Sequence, residues 1–165
     1  MGAERLITGD GADTAMKQTY LLRCNSCGTL NRVPFEKAEN RPLCGKCRNI
    51  LEFPSRPVFV SGGTFDREVL QWPGLILVEF YDEWCYYCQQ IAPDLERLAA
   101  KRKGHLKIVK VDMKKDPMLA IRYNAKGAPT FLLFRAGSLL GRLDGSPGNI
   151  DDLERWVLSA ALMRH

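Results

Sequence analysis

The 165-residue sequence has no apolar run long enough to cross a bilayer. Its longest, around Leu75 to Val78, falls far short of the roughly 20 residues a spanning helix needs. Residues 1–18 are polar, carry Gly2, Gly9 and Gly11, and lack an apolar core. They predict a flexible tail, with neither a secretory leader nor a membrane partner. No low-complexity tract occurs, and the only internal repeat is a recurring Cys-x-x-Cys turn. Large apolar residues are scarce and no helical period is visible before Phe53. Without a leader, the six cysteines favour metal or redox chemistry in a reducing compartment, the cytoplasm, over three structural disulfides.

What is present suits a small globular protein, at 45% hydrophobic and 26% charged residues. The net charge of +5 is uneven: residues 23–56 hold seven basic against three acidic side chains. Such a surface fits an acidic partner or simple solvation of a small module; nucleic acid is not expected, and the chain is read as a monomer. Pro54 and Pro57 frame a linker. The predicted organisation is a tail over 1–18, a metal module over 19–53 and a main domain over 57–165.

From residue 57 the pattern alternates between strand and helix. Val58–Val60 reads as a short strand. Thr64 reads as the cap of a helix from Phe65 to Gln71, which Pro73-Gly74 ends. Leu75–Tyr81 is a nearly unbroken apolar run, the mark of a central strand buried on both faces. Cys85–Lys103 reads as a helix with Cys88, Ile91, Leu95, Leu98 and Ala99 on one face, kinked at Pro93. Leu106–Val111, a helix over Asp116–Tyr123, a hairpin of Thr130–Arg135 and Ser138–Leu143, and a helix capped by Asn149 complete an α/β order. Ile150, Leu153, Trp156, Val157 and Ala160 form the expected inner face of that last helix.

Two constellations carry chemistry. Cys24-Asn-Ser-Cys27 and Cys44-Gly-Lys-Cys47 are sixteen residues apart. Four thiolates so spaced suit one tetrahedral, structural Zn²⁺ with no open position. Two local disulfides or another metal are the alternatives. The second constellation is Trp84-Cys85-Tyr86-Tyr87-Cys88, at the join of a buried strand and a helix. In the first helical turn, unpaired amides and the helix dipole stabilise an anion, so Cys85 reads as the attacking thiolate. Cys88, one turn on and deeper, reads as the thiol that resolves the mixed disulfide. The other reading is a pair of core cysteines. Glu79 is a lone charge in the apolar strand. If buried, it should hold its proton tightly and could exchange one with Cys88, with Lys110 in the next strand as its charge partner. If it faces a solvated edge, it has no such role.

These residues resemble the thioredoxin family over about 110 residues from Pro57. The resemblance rests on Leu75-Ile-Leu-Val-Glu-Phe-Tyr-Asp-Glu-Trp-Cys-Tyr-Tyr-Cys88, Ile91-Ala-Pro-Asp-Leu95, Val109-Lys-Val-Asp112 and Gly127-Ala-Pro-Thr130. With the cysteine turns and Asn31-Arg-Val-Pro34 added, the chain is similar to the bacterial thioredoxin 2 subgroup. The resemblance implies a thioredoxin fold, a central mixed sheet flanked by helices, after a small zinc-ribbon-like module. It implies Cys85 as nucleophile, Cys88 as resolving thiol, Trp84 flanking them and Pro129 as a cis-proline that docks substrate backbone. It also implies disulfide-containing client proteins and an NADPH-linked thioredoxin reductase as electron donor. Two positions depart from the family: Tyr86-Tyr87 replaces the usual Gly-Pro, and Glu79 replaces the usual Asp. The first leaves open an oxidase or isomerase with a less reducing potential. A different class of function is a redox-sensing or binding adaptor centred on the basic zinc module.

Overall fold

The computed structural model describes residues 18–163, so the expected tail, apart from Gln18, lies outside the described residues. The chain divides into two compact units, one ending at Glu52 and the other starting at Phe53. In the first, strands β1 (Thr19–Arg23) and β2 (Leu30–Pro34) pair antiparallel. Tyr20, Leu22 and Val33 are buried, the alternation a half-buried hairpin requires. A shorter ladder follows, closed by Cys44 N–H to Asn49 O at 2.8 Å and Leu51 N–H to Pro42 O at 2.8 Å. Sequence patterning gave no sign of these ladders because cysteines, not large apolar residues, occupy part of their interior.

The second unit holds β3 (Val58–Phe59), β4 (Leu75–Tyr81), β5 (Lys107–Asp112), β6 (Thr130–Arg135) and β7 (Ser138–Asp144). They stand in the order β3-β5-β4-β6-β7. β5 runs parallel to β3 and β4, while β6 runs antiparallel to β4 and β7. β4 is therefore interior, as its continuous apolar run demands. Helices α2 (Tyr86–Lys101) and α4 (Ile150–Leu162) pack on one face through Ile91, Leu95, Leu98, Leu153 and Val157, against Leu77, Ile108, Phe131 and Leu133. On the other face Phe65, Phe80, Tyr123 and Phe134 meet with ring centroids 5.1 to 6.2 Å apart. This is the α/β fold with a mixed central sheet that the sequence predicts.

Three local readings need correction. The first helix, α1, spans Gly62–Phe65 with Ser61 as its cap, and a wider π-type turn over Asp66–Leu70 continues it. Thr64 is not the cap but the return partner, its Oγ1 accepting the Ser61 N–H at 3.1 Å. Two glycines of low helix propensity hid this start. Cys85 is the cap residue of α2 and not part of its first turn. In α4 the deepest row includes Ala161, absent from the expected inner face, while Trp156 and Ala160 lie at the margin. Trp156 and Ala160 both rest against Gly141 on β7. A Cβ there would stand 3.2 Å from Trp156 Cζ2 and 3.4 Å from Ala160 Cβ, so the helix margin rests on bare backbone.

Candidate redox and metal sites

The four cysteines of the first unit converge: their sulfurs all lie within 4.8 Å of one another. The two Cys-x-x-Cys turns are built alike. Cys24 N–H bonds Thr29 O at 2.9 Å and Cys44 N–H bonds Asn49 O at 2.8 Å. Gly28 N–H returns to Cys24 O at 2.9 Å and Arg48 N–H to Cys44 O at 3.0 Å. Both turns close through a left-handed residue, Gly28 at φ 77° and Arg48 at φ 69°. The nearest sulfurs belong to opposite turns, Cys24 with Cys47 at 3.5 Å and Cys27 with Cys44 at 3.6 Å. A disulfide needs about 2.05 Å, whereas a tetrahedron of sulfurs about 2.3 Å from a metal has edges of about 3.8 Å. The arrangement is a metal-binding cluster and not two local disulfides.

Donors surround these sulfurs. Lys46 N–H points to Cys44 Sγ at 3.4 Å, and Asn49 Nδ2 to Cys47 Sγ at 3.4 Å. Backbone amides of Cys47 and Lys46 pull the Cys44 thiol down to about 6, favouring the ligating anion. Asn31, the first residue of the family-like stretch Asn31-Arg-Val-Pro34, ties the turns together. Its Nδ2 bonds Thr29 O at 2.9 Å and reaches Cys44 Sγ at 3.6 Å, while its Oδ1 accepts Gly45 N–H at 2.9 Å. Outer-shell bonds of this kind fix ligand orientation.

In the second unit, Asp82 Oδ1 accepts Trp84 N–H at 2.9 Å and Asp82 O accepts Cys85 N–H at 3.0 Å, turning the chain from β4 into α2. Cys85 caps the helix with its sulfur, which receives Cys88 N–H at 3.2 Å. The same sulfur lies 3.4 Å from Ala128 O, the carbonyl before the cis peptide to Pro129. Cys88 is only 3% exposed. Burial first, then the Cys85 side chain and the charge of Glu79, push its thiol up to about 12. The surround is aromatic and open: Trp84 is 75% exposed, Tyr86 65% and Tyr87 56%. Tyr86 and Tyr87 meet edge to face at 5.4 Å. A groove of about 400 Å³ runs past them toward Ile91, Ser146 and Asn149. Another of about 470 Å³ follows Lys126, Ala128, Pro129, Asp144 and Gly145.

Glu79 is fully buried, which removes the solvated-edge alternative. It lies on the face of β4 that also presents Leu77, the face covered by α2. Lys110 sits opposite it in register, with Nζ 3.5 Å from Glu79 Oε1 and 4.7 Å from the Tyr81 ring centroid. Neither carboxyl oxygen has a hydrogen-bond partner. Burial pushes the carboxyl up to about 7, with Lys110 opposing the shift. A carboxyl raised by folding contributes stability that is complete below about pH 4.5 and lost as pH rises through 7. Wild type should therefore lose about 3 kcal/mol relative to Glu79→Gln between pH 5 and 8.5. Urea denaturation of both proteins at the two pH values measures this. A gap that does not change with pH means the carboxyl titrates elsewhere.

Residues 56–159 match the family model described as Thioredoxin, and residues 23–49 match the one described as Thioredoxin 2, N-terminal. The chain is 28% identical over 137 residues to Thioredoxin C-3 of Corynebacterium nephridii, covering 83% of this chain and 92% of that protein. Over 88 residues it is 38% identical to Protein disulfide-isomerase A3 of Gallus gallus, covering 53% of this chain but 17% of that protein. A solved mutant thioredoxin from Halobacterium salinarum superposes with a TM-score of 0.59 at 28% identity, over 66% of this chain and 93% of the other.

Proposed function

The chain belongs to the thioredoxin family, and from that premise we propose that it reduces protein disulfides by exchange through Cys85 and Cys88. The reading is carried by one observation: a partly exposed sulfur receives the amide of a buried cysteine one helical turn away. Cys85 attacks one sulfur of a client disulfide. A bond forms between Cys85 and that sulfur, and the other client sulfur leaves as a thiolate. Cys88 then loses its proton and attacks the Cys85 sulfur. This frees the second client thiolate and leaves Cys85 and Cys88 as a disulfide. A thiol held at about 12 needs a base. Glu79, ionised near neutrality beside Lys110, is that base. Pro129 and the Ala128 carbonyl dock the client backbone, and Trp84 flanks the reacting sulfurs. Two electrons from an NADPH-linked thioredoxin reductase restore the dithiol.

The first unit holds a single structural Zn²⁺ through Cys24, Cys27, Cys44 and Cys47, supported by the thiolate donor set and the spacing of the sulfurs. A cytoplasmic setting agrees with both sites, because each needs reduced thiols. No helix among the described residues is long and apolar enough to cross a membrane.

A second reading, oxidase or isomerase, is favoured by Tyr86-Tyr87 between the cysteines and by the short match to a disulfide isomerase. Equilibration with glutathione separates the two. A potential near that of thioredoxin, about −270 mV, is expected of a reductase, and a value at or above about −150 mV would remove that reading.

A further inference from the structure

Helix α3 (Pro117–Arg122) leads into the loop that carries Pro129. Its C-terminus closes on itself: Asn124 N–H bonds Ile121 O at 3.0 Å and Ala125 N–H bonds Ala120 O at 2.8 Å, with Asn124 left-handed at φ 53°. That motif satisfies the earlier carbonyls and leaves those of Tyr123 and Asn124 to other donors. Arg142, on edge strand β7, reaches both. Its Nη1 bonds Tyr123 O at 2.6 Å and its Nη2 bonds Asn124 O at 2.5 Å. Its Nε is held by Asp144, at 3.1 and 3.0 Å from the two carboxylate oxygens. At the far end of the loop, Gly145 N–H bonds Pro129 O at 2.8 Å, and Thr130 Oγ1 bonds Gly127 O at 2.6 Å across it. The end of β7 thus grips both ends of the segment 124–129. That segment carries the Ala128 carbonyl lying 3.4 Å from the Cys85 sulfur.

We infer that Arg142, oriented by Asp144, is a positioning residue that presets the Pro129 loop for docking an extended protein client. It acts through the loop and does not touch the thiols. The inference rests on the oxidoreductase reading above and adds to it a determinant of preference for protein over small-molecule disulfides. A small disulfide meets Cys85 alone, whereas a polypeptide must also pair with the loop. Only the second reaction feels a loop that has lost its register.

The test compares wild type, Arg142→Met and Arg142→Lys on insulin and on bis(2-hydroxyethyl) disulfide, with amide exchange over residues 125–128. For Arg142→Met the KM for insulin should rise about tenfold with little change in kcat. The rate on the small disulfide should stay unchanged, and loop exchange should quicken about tenfold. Arg142→Lys keeps the charge without the fork and should fall between. Equal losses on both substrates, or loop exchange at the wild-type rate, would overturn the inference. Should the Met variant fail to fold, the Lys variant carries the comparison. Wild type inert toward insulin would sink the oxidoreductase reading instead, and loop exchange would still decide whether Arg142 holds the segment.

Discussion

Replacing Cys85 with serine should reduce disulfide reduction to the buffer background, while Cys88→Ser should stop the reaction halfway. A hydroxyl at position 85 neither ionises at neutral pH nor attacks sulfur, so no client bond forms. With Cys88 gone, the first exchange still runs, because the sulfur at position 85 remains open to solvent at the helix cap. The resolving sulfur is then missing, and the covalent complex persists. Non-reducing electrophoresis with a disulfide-bonded client reads both outcomes: no adduct for the first variant, and a dithiothreitol-sensitive adduct for the second. An adduct formed through the second sulfur would reverse the assignment. Geometry argues against that, since Cys88 is 3% exposed and its thiol is held at about 12.

Stripping the metal should unfold residues 19–52 as a unit. Their interior consists of a few residues, chiefly Tyr20, Leu22, Val33 and Leu51, together with the sulfurs themselves. Burial on that scale does not offset the ordering of some thirty residues at about 1 to 2 kcal/mol each. A structural four-thiolate zinc contributes about 10 to 16 kcal/mol of apparent binding free energy, and that free energy becomes folding free energy. Treatment with a mercurial and chelator should release one zinc per chain, counted by a colorimetric indicator. The amide protection of β1 and β2 should disappear with it. Cys44→Ser should behave the same way. In Cys44→Ser, where no mercurial reaches Cys85, the second unit owns a complete five-stranded sheet and should keep its insulin reduction. Persistent protection of β1 and β2 without metal would end the structural-zinc reading.

The parts of this molecule legible in the sequence are those where one physical demand dominates. Leu75–Tyr81 had to be interior because no single face of it could be wetted, and it lies between β5 and β6. The four cysteines of the first unit announced their convergence by spacing alone. Glu79 was conspicuous as a charge among aliphatic neighbours, and its pairing with Lys110 follows from the parallel register of adjacent strands. What stayed hidden depends on contacts between distant segments. Asn31 bridges the two turns, reaching a sulfur thirteen residues further along the chain, and nothing in its own neighbourhood marks it. The cap at Ser61 is disguised by Gly62-Gly63, whose poor helix propensity is offset by the Asp116 carboxylate receiving Gly62 N–H. Arg142 looks like any strand-edge cation until the helix end it faces is known.

Gly141 has a reach larger than its size. It stands opposite Leu133 in the ladder, and Leu133 belongs to the same packed cluster as Leu153 and Val157. Any side chain grown there becomes a lever under the indole of Trp156. At 3.2 Å the indole must give by a few tenths of an ångström, and its helix packs on β6, whose first residue, Thr130, adjoins the cis-proline. The smallest residue of the edge strand thus sets how closely the C-terminal helix seats on the sheet that starts beside the cis-proline.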